Sequence, residues 1–80
     1  MTISPVLVAA AADAVVRNQL ATSSLIEREL GVGAGVASQL MTALEEWSVV
    51  GPPNGRRSRS ILVPVERVAF VADQIRRGAA

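Results

Sequence analysis

Residues 21–63 read ATSSLIERELGVGAGVASQLMTALEEWSVVGPPNGRRSRSILV, and this stretch decides the fold. Ser24 and Glu27 have the spacing of a capping box, in which the Ser oxygen takes the third helical amide hydrogen and the Glu carboxylate returns to the cap amide. A helix is therefore predicted over 24–30, with Leu25, Ile26 and Leu30 inward and Glu27, Arg28 and Glu29 outward. Gly31-Val32-Gly33 ends that helix and opens the next, because glycine accepts the left-handed conformation that redirects a chain. From Ala34 to Trp47 the apolar residues Val36, Ala37, Leu40, Met41, Ala43, Leu44 and Trp47 share one arc of a helical wheel. The opposite arc carries Gly35, Ser38, Gln39, Thr42, Glu45 and Glu46, and no arginine.

Beyond Trp47 the pattern changes. Val49-Val50 and Ser60-Ile61-Leu62-Val63 are β-prone runs around Gly51-Pro52-Pro53-Asn54-Gly55, whose Asn-Gly pair signals a hairpin turn. The prolines suit an edge or a loop. A hairpin is predicted over 49–63, with Arg56, Arg57 and Arg59 crowded on its descending side. Helix, glycine turn, helix and basic hairpin together outline a winged helix-turn-helix, a mainly α fold with a small β-hairpin wing. In that fold the helix of residues 34–47 faces the major groove of duplex DNA, so Ser38, Gln39 and Thr42 are candidate contacts. Arg56, Arg57, Ser58 and Arg59 are candidates for the wing's contact with backbone phosphate, which positions a protein without reading sequence. The plainer alternative for the arginine run is a solvated loop.

Upstream, Ser4 caps and Pro5 opens a helix over 5–18, with Leu7, Ala11, Ala14 and Val15 as its apolar stripe and Asn18 as its stop. Residues 19–22 form a link that closes a small sheet with a residue or two of strand. Downstream, Pro64 opens a last helix over 64–77, with Glu66 in its first turn and Arg76-Arg77 at its end, each suited to the helix dipole. Its stripe is Val65, Val68, Ala69, Ala72 and Ile75, while Phe70 projects from the other side as a candidate contact for a second copy or a protein partner.

Composition narrows the chemistry. Eighty residues make one small domain of four helices, with only Trp47 and Phe70 aromatic, so the core is built from Val, Leu, Ile and Ala. All eight basic residues are arginine against seven acids, and a net charge of +1 leaves any argument for an anionic partner to charge distribution. The absence of cysteine and histidine removes disulfides, thiolate ligands and the usual general base, so neither a metal, a cofactor nor an enzyme is expected. The apolar start, interrupted by Asp13 and Arg17, falls short of a bilayer span, and the expectation is a soluble, cytoplasmic chain with no membrane partner.

TSSLIERELGVGAGVASQLMTALEEWSVVGPPNGRRSRSILVP resembles the gamma domain at the C-terminus of FtsK/SpoIIIE-type DNA translocases, a winged helix that recognises short oriented chromosomal motifs. The resemblance covers a little over half the chain. Gly33, Ala37, Leu40, Met41, Glu45, Val49, Val50, Gly51 and Pro52 match the family's scaffold, Ser58-Arg59 match its Ser-Arg, and Arg57 stands for a nearby Lys. The family's Tyr-Asn-Arg is replaced by Ala34-Gly35-Val36, and a later Arg by Gln39. A bidentate Arg–guanine or Asn–adenine contact supplies about 1–3 kcal/mol of discrimination, so the resemblance implies DNA contact led by the wing, without the family's base readers. The chain has no P-loop motif, so the resemblance implies a relative or a fragment without the motor, in regulation or in chromosome, plasmid or phage DNA handling. The second hypothesis is a protein-docking module on the same scaffold, motivated by Glu45-Glu46 and Phe70.

Overall fold

The first helix, α1 (Pro5–Asn18), is the element on which the others pack. Ser4 accepts the Val6 amide at 3.2 Å, Pro5 fills the first helical position, and Gln19 ends the helix at a left-handed φ of 52°. A broader face is buried than one stripe: Val8, Ala9, Ala11, Ala12, Ala14, Val15 and Val16 are all inside, while Leu7 is half-buried. The reason is that α1 meets three other helices, and a helix buried on most sides is apolar around most of its circumference. The computed structural model describes residues 3–56 and 58–78.

The second helix, α2 (Ser23–Leu30), starts one residue before the predicted span of 24–30, and its cap lies two residues before Ser24. Thr22, not Ser24, is the N-cap: its extended backbone (φ −127°, ψ 151°) turns its hydroxyl oxygen onto the Leu25 amide at 3.1 Å. This puts Leu25 rather than Glu27 at the third helical position, so the reciprocal glutamate contact is lost. The entry of the chain decides the matter, because Ala21 and Thr22 are buried and the helix begins as soon as the chain leaves them. Gly31, at φ 67°, closes α2 with its amide on the Glu27 carbonyl at 2.9 Å.

The third helix, α3 (Ala34–Glu46), follows from Gly33 and buries Ala37, Leu40, Met41 and Leu44. Trp47 caps its end, and Ser48 takes a left-handed φ of 61° that sends the Val49 amide back to the Leu44 carbonyl at 2.8 Å. Val49 and Val50 are thereby pulled into the core.

The hairpin predicted over 49–63 is not formed as a ladder. Among the described residues the two runs meet at one antiparallel bridge, Val50 to Ile61, flanked by Gly51 N–H to Ser60 O and Leu62 N–H to Val49 O, both 2.9 Å. Pro52 and Pro53 have no N–H to offer, which stops pairing immediately after Gly51. Residues 51–60 are therefore a loop tied at its base. The link of residues 19–22 supplies no strand, yet Ala21 accepts the Arg59 amide at 3.1 Å.

The C-terminal helix is also shorter than predicted. Pro64 stays extended, Val65–Arg67 form a 3-10 turn, and α4 (Val68–Arg76) begins only then. The tighter turn has three residues per turn, so Val65 rotates out of register with the stripe and is 47% exposed; Ala69 is likewise exposed. Val68, Ala72 and Ile75 remain as the buried face, set against α1. Four helices and a tied loop thus share one core, in which each large buried side chain contributes about 1.5–3 kcal/mol.

The cap assignment gives a direct test. Thr22→Ala should lower unfolding free energy by about 1 kcal/mol, whereas Ser24→Ala, at an exposed position, should stay within about 0.5 kcal/mol. Urea midpoints of the two variants check it; the reverse order would restore the capping box.

Candidate nucleic-acid interface

Three chain segments converge beside α3. The entry to α2 brings Ala21, Thr22 and Ser23, α3 brings Ser38 and Met41, and the loop of residues 51–60 brings Pro53, Arg56 and Arg59 around an open hollow of about 150 Å³. Ser38 thus faces the loop. Gln39 and Thr42 turn instead to a shallower hollow with Ile3, Ala43 and Glu46, although the Thr42 hydroxyl donates to the Ser38 carbonyl at 3.3 Å. The outer face of α3 is open along Gly35, Ser38, Gln39, Thr42, Glu45 and Glu46, and none of these is a cation.

The loop holds its residues in different ways. Asn54 Oδ1 accepts the Arg56 amide at 2.9 Å across Gly55, whose φ of 79° suits glycine, so the Asn-Gly pair builds a local turn at the tip. The Arg56 side chain is exposed there and, among the described residues, has no acidic partner. Arg57 lies outside the described residues. Ser58 is half-buried: its hydroxyl accepts the Ala21 amide at 3.1 Å and donates to the Arg59 carbonyl at 3.3 Å. Arg59 Nη1 donates to Glu45 Oε1 at 3.1 Å, and its side chain is only 19% exposed.

The candidate residues therefore separate. Arg56, Arg59 and Ser38 come together, Ser58 fastens the loop, and Gln39 and Thr42 lie further round α3. Sequence reasoning missed Ser23, whose hydroxyl stands at the first position of α2 on the rim of the hollow, and the pairing of Glu45. The signal for Ser23 was Thr22, which belongs to the favoured N-cap set as Ser24 does, although it ranks below serine. Nothing in the local spacing joins Glu45 to a residue fourteen positions later.

Phe70 lies apart from this group, on α4. It is 58% exposed, and the Arg67 guanidinium sits 5.7 Å from its ring centroid. Leu62 and Val65 are exposed as well, and Leu62, Val63, Pro64, Arg67 and Val71 line a hollow of about 320 Å³ beside the 3-10 turn.

If Ser58 fastens the loop, Ser58→Ala leaves the buried Ala21 amide unpaired. Such a loss costs about 1–3 kcal/mol, so the urea midpoint of Ser58→Ala should fall clearly, while that of Arg56→Ala should hardly move.

The model of the family described as the Ftsk gamma domain matches residues 5–64, a span that takes in α1, α2, α3 and the loop and stops short of α4. The DNA translocase FtsK of Mycobacterium leprae is 38% identical over 69 residues, covering 86% of this chain and 8% of the relative. That of Streptomyces avermitilis is 36% identical over 74 residues, or 92% of this chain and 8% of the relative. That of Staphylococcus epidermidis is 42% identical over 52 residues, or 65% and 6%. The chain thus spans less than a tenth of the length of these relatives, and no solved structure matches it. With the family model matching most of the chain from α1 through the loop, this protein belongs to the FtsK gamma domain family.

Proposed function

We propose that this chain binds double-stranded DNA as a winged helix-turn-helix, with the loop of residues 51–60 standing as the wing. The relatives are named as DNA translocases, and DNA is the partner carried over from them. The observation that supports the reading best is the shared hollow, where Arg56 at the loop tip, Ser38 on α3 and Ser23 at the start of α2 face one open space. A phosphate entering it would meet a guanidinium, two hydroxyls and the positive end of a helix, the donor set that anions favour. Arg57, next to Arg56 in the chain, is proposed as a second phosphate contact. Gln39 and Thr42 would lie toward the base edges, where a glutamine addresses adenine and a threonine methyl packs on thymine.

The division of labour makes binding strong in backbone contact and weak in sequence discrimination. The reading gives the chain no chemical step of its own: it holds duplex. A second reading, docking of a protein partner on the face around Phe70, has its own support in the exposed Leu62, Val65 and Phe70. It is compatible with the first, because α4 lies beyond the helix-turn-helix.

Titrating a short random-sequence duplex by fluorescence anisotropy at several salt concentrations tests the proposal. Arg56→Ala should reduce the steepness of log K against log salt by about 0.9, and removing Arg56 and Arg57 together by about 1.8, at one released counterion charge per lost phosphate contact. A wild-type chain that fails to bind at low salt would remove the DNA reading and leave docking at the Phe70 face.

A further inference from the structure

The loop carries three arginines, and of the two that are described Arg59 is held differently from Arg56. Arg59 lies with its side chain four-fifths covered and its guanidinium on Glu45, while Arg56 stands exposed at the tip. Its partner explains the arrangement. Glu45 and Glu46 end α3 with no basic residue in the last turn, at the negative end of the helix dipole where a carboxylate is disfavoured. Arg59 offsets that charge from outside the helix.

The residues on either side of Arg59 lead the same way. Its own amide is bound to the Ala21 carbonyl, the hydroxyl of Ser58 to the Ala21 amide, and the carbonyl of Ser60 to the Gly51 amide. The returning limb of the loop is thus tied at consecutive residues, and among the described residues the Glu45 contact is the polar tie that reaches α3. If Arg59 left Glu45 for a phosphate, it would exchange one anion for another. It would also leave an uncovered carboxylate on α3 facing the duplex, well within the roughly 10 Å over which charges act at ordinary salt.

We infer that Arg59 is a positioning residue: paired with Glu45, it locks the loop against the end of α3 and so sets where Arg56 stands, without meeting phosphate itself. The inference rests on the DNA-contact reading above, and it replaces three equal phosphate contacts by those proposed for Arg56 and Arg57 and one internal brace at Arg59. Glu45 becomes the second half of that brace. The pair adds no net charge to the surface that approaches DNA.

The variant that tests this removes both partners, Glu45→Ala with Arg59→Ala, because net charge is then unchanged. Its affinity for the duplex should fall about five-fold, the size of a coupling between adjoining residues, with the salt dependence as steep as that of the wild type. Arg56→Ala serves as the contrast, since its salt dependence should flatten by about 0.9. On an Arg56→Ala background, removing the pair should cost almost nothing further, because the brace acts through Arg56; a loss of general stability would instead cost the same in both backgrounds. A flattening of about 0.9 in the pair-less variant would overturn the inference while keeping the DNA reading, whereas no binding by the wild type would overturn the DNA reading alone. Amide exchange decides the brace in either event. The Ala21 amide, bound to Ser58, should exchange faster in the pair-less variant than in the wild type, and an unchanged rate would sink the idea.

Discussion

The peptide groups of Ala21 are the constraint on which the arrangement depends. Ala21 is wholly buried between α1 and α2, so its N–H and C=O must find partners within the protein or carry a desolvation cost. Both partners come from the loop, the Ser58 hydroxyl for the N–H and the Arg59 amide for the C=O. One buried residue thereby fixes three things together: the start of α2 at Thr22, the path of residues 58–60, and the closeness of the loop to α3. The hollow lined by Ser23, Ser38 and Arg56 exists because these three conditions are met at one point.

The helices were legible because their signals are local. Pro5 after Ser4, glycine at 31 and 33, and apolar residues at helical spacing each act within a turn or two of chain, and α1, α2 and α3 lie close to where those signals put them. What the sequence did not disclose depends on contacts across the fold. Thr22 and Ser24 both belong to the favoured cap residues, with serine ranked higher, and the burial of Ala21 and Thr22 overrides that preference. The Asn-Gly pair did build a turn, at Asn54 and Arg56, but Pro52 and Pro53 prevent that turn from being extended into strands. Pro64 was read as a first helical residue, whereas the run to Val68 passes through a 3-10 turn that swings Val65 outward.

The candidate site was legible in its parts and not in their roles. Arginines at 56, 57 and 59 look alike in sequence, since nothing within the loop distinguishes a tip from a returning limb. The distinction comes from Glu45, whose position in the last turn of α3 makes it want a cation that its own helix lacks. Ser58 likewise reads as a polar loop residue but takes its role from the buried Ala21. Charge has in this way been divided by depth: Arg59 is covered and paired within the protein, and Arg56 stands exposed at the loop tip.

Helix α4 has a consequence of a different kind. The family model matches only as far as residue 64, yet Val68, Ala72 and Ile75 are buried in α4, which packs on α1, the helix on which α2 and α3 also rest. The span matched by the family model is therefore shorter than the span that closes the interior. An amino-acid change in α4 would be felt, through α1, by the surface that α2 and α3 build on the other side of that helix.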